Sequence, residues 1–365
     1  MKSGLKGIQA VDTSISHIDG EKGLLIYRGT EIRELLANYS FEELAFFLWN
    51  GVLPNQHKLR NLQSEFRKYR ELPSYLTDII AALPTQIDLM SVIRTAVSAS
   101  ILPDQNSKPN LIQAIALTAM VPSMIAYRVR LLENKEYVKP RDELSHVANY
   151  LYMLTGDIPS DVHTAALEAY MILTMEHSLN ASTFSARVTV STESDMTSAI
   201  TSAIGTMRGP LHGGAPTGVI DLLNQIGVKE NTDAIIKDKL TKGEKLMGFG
   251  HRVYKTLDPR AIALKTKLEE ISEEDQWLDL ALYVEKRTIE LLDFYKPGRS
   301  LYTNVEFYAA AIMRTLGFKP EWFTPTFTAS RMVGWTAHVI EQAENNSLFR
   351  PDAKYIGKWP ETIHY

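Results

Sequence analysis

The chain has 365 residues, of which 45% are hydrophobic and 22% charged, and none is cysteine. Its 39 basic and 43 acidic residues leave a net charge of −4, too balanced to favour nucleic acid or an anionic membrane as a partner. The lack of cysteine excludes disulfides, thiolate nucleophiles and cysteine-based metal centres. The length exceeds that of most single domains, so two domains are expected.

The N-terminal region carries the only clear extended signal. Ile8, Ala10 and Ile15 alternate with polar neighbours, and residues 19–23 have the composition of a turn. This pattern predicts a small β-hairpin within residues 7–27. The first residues lack the features of a signal or transit peptide, so we expect a cytoplasmic protein.

Helical patterns begin at residue 40. Ser40 and Glu43 form the capping-box pattern of a helix start, and residues 51–54 hold the glycine and proline that end this helix. Another helix is expected to begin near Met90. The remaining apolar periodicities predict helices at residues 147–154, 161–179, 196–207, 217–226 and 277–291.

One uncharged stretch, between Lys108 and Arg128, resembles a membrane span in length. Gln113 and Ser123 interrupt it, whereas a span requires about 20 predominantly apolar residues. A buried core helix, kinked at Pro122, is the better interpretation. Together with the glycine-broken residues 240–260, these patterns predict an all-α protein, and a helix-rich α/β fold stays open as the alternative.

The usual metal and nucleotide motifs are missing. None of the nine histidines pairs with another at a metal-ligand spacing. Residues 248–253 lack the third glycine and the preceding strand of a dinucleotide-binding loop, and residues 213–218 lack the Gly-Lys pair of a P-loop. We therefore expect no metal site.

Two histidines lie in glycine-rich breaks between helices. His212 precedes the predicted helix at 217–226, whose positive end would help it donate to a developing oxyanion. Cations surround His251, at Arg252, Lys255 and Arg260, and clustered cations suit an anionic substrate. A loop histidine bonded to backbone and a solvated basic loop stay open as simpler explanations.

Three further charged residues are candidates for the same chemistry. Glu306 lies near a predicted helix start, where a carboxylate is often only a favourable dipole contact. Beside two histidines it is also a candidate base for a carbon acid. Arg331 and Arg350 are either surface charges or bidentate ligands of a dicarboxylate.

Four motifs stand out in order along the chain: GPLHGGA (209–215), GFGHRVYK-x-x-DPR (248–260), NVEFY (304–308) and SR-x-x-GW-x-AH (330–338). Their order and approximate spacing resemble the citrate synthase family. Residues 4–29, 41–45, 175–187 and 341–351 resemble it too, so the likeness covers essentially the whole chain.

The resemblance implies an all-α, two-domain homodimer with a small N-terminal β-hairpin. The large domain would comprise residues 1–215 and 322–365, and the small domain residues 216–321. Closure of the small domain would keep reactive intermediates from water. The chain has no extension like that of the larger NADH-regulated forms, so we expect a simple dimer without that control.

The same resemblance implies a division of roles. Glu306 would remove a proton from the methyl group of an acyl-CoA while His212 hydrogen-bonds the thioester oxygen. His251 would polarise the oxaloacetate carbonyl and protonate the new alkoxide, after which water hydrolyses the citryl thioester. The oxaloacetate carboxylates would be held by His177, Arg260 and Arg331, with Arg350 supplied by the partner subunit.

Acyl-CoA enters as a co-substrate, and no permanently bound cofactor is implied. The implied coenzyme A contacts are Lys245, Leu246, Met247, Gly248, Phe249, Gly250 and Arg299. Arg94 lies on a helix that would approach the site and would act only indirectly.

The chain departs from the family pattern at Glu306, where the family ordinarily has aspartate. One extra methylene moves the carboxylate by about 1 Å, and such a misplacement can cost ~10²-fold in rate. The other departures are Thr30, Thr303 and the pair Asp88-Leu89.

The sequence leaves three hypotheses for function: a citrate synthase using acetyl-CoA, a 2-methylcitrate synthase using propionyl-CoA, or a catalytically weak helical binding protein with the same fold. A metal-dependent aldol-type lyase is disfavoured by the missing ligand spacings.

Overall fold

A computed structural model describes residues 5, 7–105, 107–213, 215–251, 253–271, 276–299 and 301–359, excluding the side chains of residues 215–217 and 271. Across these residues the chain forms sixteen α-helices and one small antiparallel sheet. The all-α prediction with a small hairpin is confirmed, and the α/β alternative is wrong.

The sheet is the β-hairpin with one short added strand. It contains β1 (Ser16–Asp19), β2 (Leu24–Tyr27) and β3 (Thr30–Glu31), in that spatial order. Asp19 Oδ1 organises the turn by accepting hydrogen bonds from the N–H groups of Glu21 and Lys22. Residues 8–13 alternate in polarity but form no strand, so the predicted hairpin is confirmed only in the second half of its range.

Eight helices follow in the first half of the chain: α1 (Ile32–Asn38), α2 (Phe41–Asn50), α3 (Gln56–Arg70), α4 (Ser74–Ala82), α5 (Leu89–Ser98), α6 (Leu111–Leu132), α7 (His146–Thr155) and α8 (Asp161–Thr174). Ser40 and Glu43 make both hydrogen bonds of the capping box at the start of α2. Gly51 ends that helix with φ 74°, a left-handed conformation that suits glycine.

The second half contains α9 (Ala181–Val190), α10 (Met196–Met207), α11 (Ala215–Ile226), α12 (Thr232–Thr241), α13 (Pro259–Ile271), α14 (Gln276–Tyr295), α15 (Val305–Thr315) and α16 (Phe323–Glu344). Short 3₁₀ helices lie at Lys229–Asn231 and Pro320–Trp322. The division at residues 215 and 321 into two domains stays a prediction.

The helix predicted over 161–179 ends earlier, at Thr174, and this prediction is wrong for its last turn. The next residues bond to a distant helix instead of extending α8. The carbonyl of Met175 accepts a hydrogen bond from the N–H of Gly334 in α16. Ser178 then takes φ 52°, outside the helical range. This early end creates the loop that carries His177.

The core is built around α6 and α16, which pack against each other and are largely buried. Within the described residues, α6 is the one helix long and apolar enough to cross a bilayer, and 83% of its apolar window is buried inside the fold. It continues on both sides of Pro122. A helix that is apolar on all sides is expected at such a position in a large core.

Candidate active site

The glycine-rich loop before His251 is tied to the segment that precedes α15. Residues 248–250 and 302–304 are joined by three hydrogen bonds and an isolated β-bridge. Gly248 has φ 87°, and a Cβ there would lie 2.9 Å from neighbouring side-chain atoms, so only glycine fits. This junction brings the loop of His251 to the start of α15, which carries Glu306.

The environment of His251 fixes its tautomer. Nδ1 accepts hydrogen bonds from the N–H groups of Val253 and Tyr254, both at 3.1 Å. A neutral ring therefore carries its proton on Nε2, where it can donate. Burial, and then the charge of Arg260, lower the pKa of His251 to about 4, so the ring is neutral at pH 7.

His177 lies edge-on to His251, with ring centroids 5.6 Å apart. Its Nε2 is 3.3 Å from the Tyr254 hydroxyl. Burial lowers its pKa well below 6.5, and the neighbouring charges of Arg260 and Arg331 act in the same direction. His177 is thus a second neutral imidazole facing the same space.

Arg260 is held in a buried ion pair at the start of α13. Its Nε and Nη2 donate to the two carboxylate oxygens of Asp258, at 3.0 and 2.8 Å. Asp258 Oδ2 also accepts from the N–H of Val305, at 3.1 Å. The arrangement leaves Nη1 of Arg260 without an acceptor in the described part of the chain, available to an anionic ligand.

Arg331 lies in the middle of α16 and is almost fully buried. Its Nε donates to the carbonyl of Thr174, at 2.6 Å, and its guanidinium lies over the ring of Phe327. The charge of Arg331 lowers the pKa of both His177 and His212. The site therefore holds a second buried cation close to its histidines.

Glu306 is the second residue of α15. The N-cap residue Asn304 accepts a hydrogen bond from its N–H, at 3.0 Å. No described residue donates a hydrogen bond to its carboxylate. Burial raises its pKa to about 7, with Asp258 adding to the shift and two arginines opposing it. A carboxyl group with this pKa exchanges protons readily at neutral pH.

His212 lies in a tight turn after α10. Its Nε2 is 2.7 Å from the Ser182 hydroxyl oxygen, which also accepts a hydrogen bond from Trp335 Nε1, at 3.0 Å. The adjacent Gly213 leaves no room for a Cβ, which would lie 2.4 Å from a backbone oxygen. Burial, and then Arg331, lower the pKa of His212 to about 4. A histidine bonded only to backbone, the simpler explanation, does not describe this ring.

The profile of the family described as “Citrate synthase, C-terminal domain” matches residues 4–352, nearly the whole chain. The chain belongs to the citrate synthase family. Members of this family are acyltransferases that condense acetyl-CoA with oxaloacetate. The family resemblance inferred from the motifs is thereby confirmed.

Individual citrate synthases match over nearly their full length. “Citrate synthase 2” of Bacillus subtilis is 40% identical over 97% of this chain and 95% of its own length. A “2-methylcitrate synthase” of Mycobacterium tuberculosis is 35% identical, over 98% and 91%. The citrate synthase of Thermoplasma acidophilum was solved as a ternary complex with carboxymethyl coenzyme A and oxaloacetate. It superposes on this chain with a TM-score of 0.92 at 28% sequence identity. The superposition covers 100% of this chain and 98% of that enzyme.

Some of the predicted site residues lie apart from this cluster. Arg350 is exposed in the segment after α16 and lines a separate cavity of about 1150 Å³. Lys245 and Arg299 are exposed, Leu246 is buried, and Phe249 packs on Phe307 with ring centroids 5.3 Å apart. Within the described residues, no group of three or more potential metal ligands occurs.

Three residues of the cluster were missed by the sequence analysis: Ser182, Tyr254 and Asp258. Each belongs to a motif that was recognised, residues 175–187 or 248–260. Their amino-acid types alone give little indication of a functional role, because a serine, tyrosine or aspartate in a loop is usually only a surface group. The pairing of Asp258 with Arg260 two positions later was the one available hint.

Proposed function

We propose that this chain is a citrate synthase whose catalytic residues are His212, His251 and Glu306. The observation that carries the proposal is a carboxyl group with a pKa near 7 within electrostatic reach of two buried arginines, Arg260 and Arg331, which also act on the neutral histidines. A base, oxyanion donors and carboxylate anchors are the parts that a thioester–keto acid condensation requires.

In the first step Glu306 removes a proton from the methyl group of acetyl-CoA. A carboxylate is too weak a base for this carbon acid unless charge on the thioester oxygen is stabilised at the same time. His212 supplies that stabilisation as a neutral donor. The product is an enol or enolate, which is the nucleophile of the condensation.

Ser182 determines whether His212 can donate. Its hydroxyl lies 2.7 Å from both His212 Nε2 and Asn180 Oδ1, and it has one proton to give. When Ser182 donates to Nε2, the neutral ring carries its own proton on Nδ1. Nδ1–H then donates to the thioester oxygen.

In the second step oxaloacetate accepts the nucleophile at its keto carbon. His251 donates from Nε2 to the keto oxygen and transfers that proton to the alkoxide as the new bond forms. Arg260 and Arg331, assisted by His177, hold the carboxylates. Water then hydrolyses the citryl thioester and releases citrate and coenzyme A.

For coenzyme A we propose contacts along residues 245–250 and at Arg299. Gly248 and Gly250 take φ values of 87° and 79°, which present backbone in place of side chains. The Thermoplasma acidophilum enzyme binds carboxymethyl coenzyme A and has the same fold. Arg299 is exposed, and its planar guanidinium could bind a phosphate through two parallel hydrogen bonds.

We further propose that the active form is a cytoplasmic homodimer, with Arg350 completing the site of the partner subunit. The exposure of Arg350, away from the other anchors of its own chain, supports this role. Arg350→Leu should raise the KM for oxaloacetate and leave the KM for acyl-CoA unchanged. A change confined to acyl-CoA would refute the assignment, and sedimentation measures the dimer.

Acetyl-CoA is our choice of substrate, with propionyl-CoA as the competing one because a 2-methylcitrate synthase is among the relatives. One methylene in a pocket discriminates by only about 1–3 kcal/mol. The test is kcat/KM for both thioesters at saturating oxaloacetate. A clear preference for propionyl-CoA would make the protein a 2-methylcitrate synthase.

A binding protein that has lost the chemistry is the alternative of another class, and Glu306 motivates it. The test is release of free coenzyme A from either thioester with oxaloacetate present. No release by the wild type, together with release by Glu306→Asp, would reject enzymatic function for this chain.

A further inference from the structure

The turn between β1 and β2 lies directly against the loop that follows His251. The carbonyl of Gly20 accepts a hydrogen bond from the N–H of Lys255, at 2.9 Å. A Cβ at Gly20 would lie only 2.3 Å from the carbonyl oxygen of Val253. Two backbones meet here with no space for a side chain between them.

The same turn makes a second close approach further along this loop. A Cβ at Gly23 would lie 2.8 Å from the carbonyl oxygen of Leu257. Leu257 directly precedes Asp258, the partner of Arg260. The turn thus contacts the loop at Val253 and at Leu257, near the two ends of the stretch between His251 and Arg260.

The opposite end of the hairpin holds the His177 loop. The Ser16 hydroxyl donates to the Glu176 carboxylate, at 2.8 Å, and accepts from the N–H of Ser178, at 3.1 Å. The Tyr27 hydroxyl donates to the carbonyl of Glu176, at 2.8 Å. These bonds fix the residues on both sides of His177.

We propose that the hairpin Ser16–Tyr27 is the element that positions His177 and His251 relative to each other, and that Gly20 is a positioning residue of the oxaloacetate half of the site. This inference rests on the proposed function. Val253 carries the effect, because its N–H donates to His251 Nδ1 while its carbonyl lies against Gly20. Any displacement of Val253 therefore moves a donor that sets the His251 tautomer and ring orientation.

Gly20 gives a selective probe because its backbone does not itself require glycine. Its φ lies outside the left-handed region, whereas Gly23 has φ 66°. Alanine is therefore compatible with the turn, and the obstacle it meets is Val253, whose carbonyl oxygen and Cγ1 would lie 2.3 and 3.2 Å from the added methyl group. Relieving a 2.3 Å contact requires a shift of roughly 1 Å, a displacement that can cost ~10²-fold in rate when it reaches catalytic groups.

The test compares Gly20→Ala with wild type in the full-length protein. We expect kcat/KM for oxaloacetate to fall about 10- to 100-fold and the KM for acyl-CoA to change less than about twofold. The dissociation constant of oxaloacetate, measured by calorimetry, should rise in parallel. Wild-type kcat/KM and affinity in this variant would overturn the proposal, as would an equal loss for both substrates.

Gly29→Ala is the matched control. Gly29 has φ 90°, and no atom lies within 4 Å of the position that an added methyl group would take. Alanine there strains the backbone beside the sheet without touching the loop. We expect a lower Tm with an unchanged kcat/KM for oxaloacetate. If this control lost oxaloacetate affinity as Gly20→Ala does, general destabilisation of the sheet would explain both results.

Ser16→Ala keeps the inference testable if Gly20→Ala does not fold. It removes the hydroxyl that joins the hairpin to the His177 loop and introduces no steric conflict. We expect a rise of about 5- to 10-fold in the oxaloacetate dissociation constant, in line with the loss of one well-placed hydrogen bond. An unchanged constant would reject the positioning role. A wild-type protein that binds oxaloacetate but does not condense it would instead contradict the proposed function.

Discussion

Two histidines, His146 in the core and His251 at the site, share one property and differ in another. Burial lowers the pKa of both, with an arginine acting in the same direction in each case. His146 lies between the rings of Phe41 and Phe66, and neither of its nitrogens has a hydrogen-bond partner in the described chain. His251 has its Nδ1 held by two backbone donors, and its Nε2 lies 3.5 Å from Nη2 of Arg260, the proposed carboxylate anchor.

A lowered pKa by itself therefore does not mark function. Desolvation produces the same shift wherever an imidazole is buried. What distinguishes the site is that hydrogen bonds choose which nitrogen carries the proton and direct it to where a ligand can lie. In the core, the ring acts only as a flat packing surface.

The largest expected effect follows from replacing the site histidine. His251→Ala should lower kcat by about 10³- to 10⁴-fold, because it removes both the donor to the keto oxygen and the proton for the alkoxide. Tm should change little, since the residue is only half-buried. Steady-state kinetics and thermal unfolding measure the two quantities, and an active variant would refute the assigned role.

A smaller effect is expected from Asp258→Asn, which leaves the imidazole in place and changes the charge around it. Asp258 contributes to raising the pKa of Glu306 to about 7, and it also occupies Arg260, whose charge lowers that pKa. Both changes favour the ionised carboxylate. The acidic limb of the kcat/KM profile, near pH 7 in the wild type, should move to lower pH, with a loss of about tenfold at the plateau from the misplaced Arg260. An unmoved limb would show that Glu306 is not the titrating base.

The buried carboxyl group of Glu306 should lower the free energy of unfolding at high pH. The pKa of Glu306 is raised from 4.5 to about 7 in the folded protein, so the folded state binds more protons between these values. Stability therefore falls as pH rises through this window, and the full cost is present at pH 8. Glu306→Gln should be more stable by about 3 kcal/mol at pH 8 and no more stable at pH 4. Urea unfolding at both pH values measures the difference.

The smallest effect concerns the core histidine. His146→Leu removes two unpaired ring nitrogens at nearly constant volume, so we expect a gain of about 1 kcal/mol at pH 7.5 with unchanged kinetics. Because the folded pKa of His146 is lowered, wild-type stability is lost as pH falls below 6.5. The advantage of the variant should therefore be larger at pH 5.5. If His146→Leu and the wild type had equal unfolding midpoints at pH 7.5 and at pH 5.5, this account of the core would be contradicted.

Much of the fold was predictable because its signals are local. The capping box at Ser40 and Glu43 and the glycine at residue 51 define α2 from within a few residues. The end of α8 was not predictable in the same way. It depends on a hydrogen bond from Gly334, which is far along the chain and offers no local cue at Thr174.

The site was predictable only through the family motifs, and then only for residues whose chemistry is conspicuous. Histidines, arginines and a glutamate were predicted as site residues, and most of them interact electrostatically with Arg260 or Arg331. Ser182 and Asp258 were missed, because their importance lies in which partner they bind: His212 and Arg260. The exposed position of Arg350 leaves its role to the proposed dimer.

The helical class, the hairpin and family membership were predictable from the amino-acid sequence, since periodicity, caps and motif order are properties of neighbouring residues. The protonation states at the site depend on the folded arrangement. Burial and two arginines make the histidines neutral, and desolvation brings the pKa of Glu306 to about 7. The contact of Gly20 with the His251 loop also depends on the folded arrangement. Such effects depend on solvent exclusion and on distances between groups remote in the chain, and no local pattern encodes either one.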